Sequence, residues 1–385
     1  MTNMEKLTQF QQEMLRCNRC GYCQAVCPIY DVLRLEPITA RGRIQLLRAV
    51  SEGKLPISEL VSYYIYRCTD CQSCRVSCPG GVRTDQIFAS ARELIADNEF
   101  LPTGLSELEQ RVRTTYNISG EPSENRLLWA ENLEVKPEGL VGKEGAEVVL
   151  FTGCVSALYP MAYGILQDLV EILEAAGVDF TTLGSEEWCC GYPLLSAGLS
   201  VSELVTHNLD QVRALGAKTL VTTCPSCYHM WKYHYTPDSL RVMHSTQFLA
   251  ELVEAGKVPL RPVEMRVTYH DPCDLGRKSE VYDAPRQLME SIPGLDFVEM
   301  EDHGENAMCC GGGGNLETVD AELSRAVARL RLEQAEAVGA QAIVSACQQC
   351  ERTLAMAARR NKIRIKVMDV VQLLRKALSE EETER

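Results

Sequence analysis

The chain has 385 residues, with 39 Lys or Arg against 53 Asp or Glu and a net charge of −14. Its length asks for two or three domains, and its acidity argues against nucleic acid as a partner, because phosphate contacts need clustered cations. No apolar run reaches the roughly 18 residues of a membrane span, and the opening MTNMEKLTQFQQEML lacks the apolar core of an export signal, so a cytoplasmic protein is expected.

Eighteen cysteines are spread along the chain. In a small secreted protein they would read as disulfides, but in a long chain without an export signal they read as metal ligands or redox groups, and their spacing decides. Residues 17–28 read CNRCGYCQAVCP and residues 68–79 read CTDCQSCRVSCP. Both fit C-x2-C-x2-C-x3-C-P, the run that binds 4Fe-4S cubanes in two-cluster ferredoxins, where three cysteines wrap one cluster and the fourth reaches the other. On that rule Cys17, Cys20, Cys23 and Cys78 hold one cubane, and Cys68, Cys71, Cys74 and Cys27 hold the second. Zinc sites use paired C-x2-C hooks instead of three-plus-one runs.

The insert between the runs has helical periodicity in ARGRIQLLRAVSEG and ISELVSYYIYR, so residues 1–100 are expected to form a mainly α-helical dicluster domain. Arg41, Arg43 and Arg48 on this insert read as a solvated face, with tuning of a cluster as the sharper alternative. Residues 101–145, rich in Pro, Gly and charge, read as a linker with some helix, packed across its neighbours through Trp129 and carrying no chemistry.

The remainder is one unit written twice, 146–260 and 261–380, followed by a short acidic tail at 381–385. Cys154, Cys189, Cys190, Cys224 and Cys227 recur about 120 residues later as Cys273, Cys309, Cys310, Cys347 and Cys350. Each copy opens with an apolar strand running into a cysteine (EVVLFTGC, MRVTYHDPC), and a helix and a short strand lead to the double cysteine. A charged helix and a strand ending in C-x2-C follow (TLVTTCPSC, AIVSACQQC). Strands alternating with helices imply an α/β unit with a parallel sheet, and each cysteine set should converge beyond the carboxyl ends of the strands.

Five thiols converging twice suit a polynuclear iron-sulfur site better than a mononuclear metal. A thioredoxin-like pair would use only Cys224 and Cys227, zinc would leave a thiol spare, and a Cys309–Cys310 disulfide would be a strained ring. Gly191, Gly311 and Gly312 let backbone pass beside a bulky cofactor and point N–H groups at sulfur. His270, in HDPC, is placed to donate a hydrogen bond to a thiolate, to move a proton, or simply to hold structure. His229, His234, His244 and His303 read as surface or packing residues. There is no G-x-G-x-x-G after a strand and no P-loop, so a flavin or nicotinamide is expected on a partner.

The pattern C-x(34)-CCG-x(32)-C-x2-C and its repeat resemble the twin cysteine-rich CCG domains of the heterodisulfide reductases. With the N-terminal runs, residues 17–378 resemble the D subunits of that family, in which equivalents of the C and B subunits are fused. The chain is also similar to the iron-sulfur subunits of glycolate oxidase, especially at ARGRIQLLRAV, and of anaerobic glycerol-3-phosphate dehydrogenase. The resemblance implies an oxidoreductase subunit with two cubanes and a noncubane 4Fe-4S cluster on each CCG set, where a disulfide or related acceptor is reduced. Electron relay for a FAD-linked 2-hydroxy-acid (glycolate or lactate) dehydrogenase or an electron-transferring flavoprotein is the alternative. The implied partners are a flavoprotein subunit, heterodisulfide reductase A-like among the options, and other redox subunits, with any membrane association coming through a partner. Because Cys310 is followed by glycine alone while Gly191 is followed by Tyr192 and Pro193, the second set is expected to be the more open and to receive the substrate.

Overall fold

A computed structural model describes residues 5–379; the expected tail at 381–385 lies outside them. Before Val148 the described residues contain helices and turns but no strand of a sheet. The helix Ala40–Ser51 starts where Thr39 accepts the Gly42 N–H on its side chain, and Ile44, Leu47 and Val50 fall on its buried face. The helices Glu59–Tyr66 and Thr84–Asp97 pack beside it, burying Val61, Ile65, Ile87, Phe88 and Leu94 in one core.

Arg43 departs from the solvated face expected of it. It is buried and donates to the Tyr64 and Arg67 carbonyls at 2.8 and 2.7 Å, tying this helix to the next. Arg41 instead pairs with Glu36 and donates to the Arg19 carbonyl, and Arg48 pairs with Glu52.

The repeat appears as two parallel four-stranded sheets. The first holds β1 (Val148–Phe151), β2 (Phe180–Thr182), β3 (Thr219–Thr222) and β4 (Arg241–His244) in the order β2-β1-β3-β4. The second holds β5 (Met265–His270), β6 (Leu295–Phe297), β7 (Ala342–Ser345) and β8 (Lys366–Asp369) in the order β6-β5-β7-β8. The central strands β1 and β7 are buried at every position, as expected of a parallel sheet covered by helices on both faces. Register runs Val148↔Phe180 and Val148↔Thr219 in the first sheet, Val267↔Phe297 and Val267↔Ala342 in the second.

The two units meet with the carboxyl ends of their strands facing. The helices Tyr163–Ala175 and Val370–Ala377 pack together across this junction, as do Ser245–Glu254 and Asp283–Glu290, and Val370–Ala377 also touches both helices of the second pair. Gln348 Nε2 donates across to the Thr223 carbonyl at 2.9 Å, and Tyr192 Oη to Asp274 Oδ1 at 2.9 Å.

Candidate metal centres and the cleft between them

In the helical region the two runs interleave. Cys17, Cys20, Cys23 and Cys78 line one small cavity near the surface, with Cys74 on its wall, and Cys20 is exposed. Cys27 lies instead with Cys68, Cys71 and Cys74, whose charges it feels; burial pushes its thiol up to about 11, against the opposing pull of Arg43. The fourth cysteine of each run thus reaches the other run's trio.

Each CCG set forms where strands end. Cys154 follows β1 across the Thr152–Gly153 turn, and Cys224 and Cys227 flank the helix start after β3. The double cysteine arrives on the loop after β2, and Gly191, at φ +89°, turns the chain so that its N–H lies 3.4 Å from Cys189 Sγ. The second set repeats this. Gly311, at φ +86°, donates to Cys309 Sγ at 3.3 Å, Gly312 to Cys310 Sγ at 3.4 Å and the Cys350 N–H to Cys347 Sγ at 3.4 Å.

Within each set the thiols meet. Hydrogen bonds from Cys189 and Cys227 hold Cys190 down to about 6, and hydrogen bonds with Cys309 and Cys350 hold the corresponding Cys310 well below an ordinary thiol. Cys310 Sγ and Cys350 Sγ lie 3.2 Å apart. Buried, convergent thiols with backbone N–H groups aimed at four of their sulfurs suit a soft, polynuclear, negatively charged group. A lone divalent cation would need only four of the five.

The linker is not chemically silent. Arg126, buried in the 3-10 segment Ser123–Asn132, donates from Nη2 to Cys154 Sγ at 3.3 Å and pairs through Nη1 with the buried Glu187 at 2.9 Å. Glu187 also accepts from the Thr152 and Gly153 N–H groups at 2.7 and 2.8 Å, so it clamps the turn that carries Cys154. Leu108 and Arg111, from the helix Thr103–Thr115, and Ile118 line the cleft described below. Trp129 is buried and its carbonyl accepts from Gln167; the 3-10 segment that carries it packs on the first unit, and it is the helix Thr103–Thr115 that touches Leu316–Val319 of the second.

Arg277 brings a guanidinium to the second set, held by backbone carbonyls instead of a thiol and a carboxylate. Its Nε donates to the Cys71 carbonyl at 2.6 Å and its Nη1 to the Ala307 carbonyl at 2.8 Å, which sets its charge among Cys71, Cys273 and Cys309. Cys309 also hydrogen-bonds Cys71, so the helical region's second trio touches the second CCG set directly. Neither arginine stands in a recognisable motif. For Arg126 the available signal was a cation inside the apolar run RLLWA.

Both sets open on one cavity of about 350 Å³, lined by all five thiols of the first set and by Cys273, Cys310, Cys347 and Cys350 of the second. This corrects the expectation of a more open second set. The glycine run is covered: a Cβ on Gly314 would fall 2.3 Å from the Cys68 carbonyl oxygen, and one on Gly313 2.6 Å from that of Thr69. The glycines admit the backbone of the helical region. Tyr192 is half-buried at the junction, its hydroxyl bonded to Asp274 and to Lys278. Lys278 in turn pairs with Asp70 at 2.8 Å, so this network joins all three parts of the chain.

No helix among the described residues is long and apolar enough to cross a membrane. Residues 148–232 and 267–355 match the family described as a cysteine-rich domain, CCG, and residues 13–82 match the 4Fe-4S dicluster domain. The chain is 31% identical to the D subunit of the dihydromethanophenazine:CoB–CoM heterodisulfide reductase of Methanosarcina barkeri, covering 97% of this chain and 96% of that one. It is 33% identical to the probable iron-sulfur-binding oxidoreductase FadF of Bacillus subtilis over 80% of this chain and 46% of that one. It is 28% identical to the EtfAB:quinone oxidoreductase of Syntrophomonas wolfei over 94% and 58%. With its dicluster region, paired CCG units and full-length likeness, the chain belongs to the iron-sulfur oxidoreductase family of heterodisulfide reductase D subunits.

Proposed function

We propose that this chain is the disulfide-reducing subunit of a redox complex. A disulfide enters the cavity between the two CCG sets, takes up two electrons and two protons, and leaves as two thiols. One observation carries the proposal: all five thiols of the first set and four of the second, Cys273, Cys310, Cys347 and Cys350, line the same cavity.

In this reading Cys17, Cys20, Cys23 and Cys78 hold one 4Fe-4S cubane and Cys27, Cys68, Cys71 and Cys74 the other. Each CCG set holds a noncubane 4Fe-4S cluster, with Gly191, Gly311 and Gly312 beside it. Clusters at these positions would accept and pass single electrons, which the side chains alone cannot do. The exposed rim at Cys20 offers a partner flavoprotein an entry point, and the Cys71–Cys309 contact connects the helical region to the cleft. Leu108, Ile118, Val155, Tyr159 and Pro193 give the cavity apolar walls that exclude water around a bound disulfide. Arg111 borders it with positive charge, and Arg352, paired with the lining Glu317, lies over the Tyr159 ring at 5.4 Å.

The test is anaerobic spectroscopy of the loaded protein with candidate thiols and disulfides. A paramagnetic signal that appears only with one thiol supports the proposal. A complete panel without any thiol-dependent signal would sink it. The likeness to FadF and to the EtfAB:quinone oxidoreductase favours a second reading, relay between a flavoprotein and another acceptor. In that case a reduced flavoprotein would be oxidised by the chain at a rate indifferent to disulfide.

A further inference from the structure

The two CCG sets differ at one position behind the double cysteine. Where β1 ends at Phe151, β5 ends at His270. Phe151 packs edge-on against Trp231, with centroids 5.4 Å apart, in the same apolar cluster as Cys190. His270 is 1% exposed, and one of its ring nitrogens lies within 4.8 Å of the Cys310 and Cys350 thiols.

Its tautomer is set by a neighbour. Arg331 Nε donates to His270 Nδ1 at 3.1 Å, and a guanidinium cannot accept, so the lone pair is on Nδ1 and the ring proton on Nε2. Arg331 is itself buried and held by the Asp302 carbonyl at 2.8 Å and Gln334 Oε1 at 2.7 Å, so it cannot swing aside without losing these partners. Nε2 is buried without a hydrogen-bond partner among the described residues, and it is the nitrogen left to meet the thiols. A protonated Nε2 offers no lone pair to a metal. It offers a donor to sulfur.

We infer that His270, locked by Arg331, is an N–H···S donor to Cys310 that makes the centre on the second thiol set easier to reduce than the same centre would be without it. A donor to a ligand sulfur stabilises the extra negative charge of the reduced state. Each set also has an arginine beside it, but Arg126 donates directly to Cys154 Sγ of the first set, whereas Arg277 is held by backbone carbonyls near the second. At the end of the first strand of each unit, His270 offers the second set a donor where Phe151 offers the first none. His270 is a positioning residue, acting through Cys310.

This inference rests on the proposed occupancy of the second set. It is tested by EPR-monitored redox titration of the anaerobically loaded full chain. Relative to wild type, His270→Leu should shift the reduction equilibrium of one CCG centre about tenfold toward the oxidised form, or ~59 mV for one electron. The cubanes should not move. His270→Gln, which keeps an N–H donor, should recover much of the shift, and Arg331→Met should reproduce part of it. In wild type labelled with 15N-histidine, pulsed EPR should show one weak nitrogen coupling, smaller than that of a ligand. That spectrum decides alone if His270→Leu fails to load. Unmoved CCG potentials in a fully loaded His270→Leu protein, a ligand-sized coupling, or no histidine coupling at all would overturn the inference. A second set without iron would overturn it together with the occupancy, and iron analysis identifies that case.

Discussion

Replacing Arg126 by Met should destabilise the first CCG unit far more than an ordinary surface change. Both partners of the Arg126–Glu187 pair are at most 1% exposed. The carboxylate accepts from the Thr152 N–H at 2.7 Å, the Thr152 hydroxyl at 2.9 Å, the Gly153 N–H at 2.8 Å and Arg126 at 2.9 Å. Removing the guanidinium leaves three neutral donors around a buried charge, and breaking such a pair costs about 3–5 kcal/mol. Burial already pushes Glu187 above the usual carboxylate range, with Arg126 the main opposing influence, so in Arg126→Met its folded-state value rises further. A carboxyl with a raised folded value is favoured when protonated. The penalty is therefore present at pH 8 and shrinks by about 1.4 kcal/mol per unit as the pH falls through the raised value toward the unfolded carboxyl range. The chain's three tryptophans, Trp129, Trp188 and Trp231, all lie in this unit or the segment against it, so their fluorescence reads its unfolding. With a urea slope of about 1–3 kcal/mol/M, the midpoint at pH 8 should fall by roughly 1–5 M, and by less at pH 6. Adding Glu187→Gln should restore a large part. A midpoint shift below about 0.3 M at pH 8, or a double variant less stable than the single, would refute the reasoning.

Gly314→Ala should loosen the helical region from the second unit, because a Cβ there would fall 2.3 Å from the Cys68 backbone oxygen; hydrogen exchange over residues 68–71 should rise markedly. Gly304→Ala, with nothing within 4 Å of the added carbon, should leave that exchange unchanged. Asp168 has its carboxyl pushed up to about 7 by burial, with Glu171 adding to the effect, so wild-type stability falls as the pH rises from about 4 to about 7. Since Asp168 is only partly buried, Asp168→Asn should gain about 1 kcal/mol at pH 8, read as a few degrees in Tm, and nothing near pH 4. Arg43→Met should strand the Tyr64 and Arg67 carbonyls and lower the melting temperature of the helical region, a loss of about 2–3 kcal/mol, whereas a solvated arginine would cost under 0.5.

The repeat and its cysteines were legible because both are periodic. Strands such as VVLF and AIVS end where thiols begin, and a parallel sheet brings every such end to one edge. The interleaving of the ferredoxin runs followed from their spacing. What lay hidden depends on contacts between distant segments. The GGGG run announces a close approach but not its partners, which are the Cys68–Asp70 backbone for Gly313 and Gly314 and the second unit's own Ser324 and Thr353 for Gly311 and Gly312. Arg126 and Arg111 sit in a segment of linker composition, and nothing local distinguishes a cation that reaches Cys154 from one that reaches water. Arg43 shows the same ambiguity within a helix whose other arginines are paired at the surface. The shared cavity is a property of how the two units face each other, which neither copy's sequence carries alone.

Occupancy of all four thiol sets by clusters is tested most directly by anaerobic iron and acid-labile sulfide analysis of the purified chain. It predicts about sixteen irons and about sixteen sulfides per chain, four for each set. A value of about eight, with the cubanes loaded and both CCG sets without iron, would contradict it.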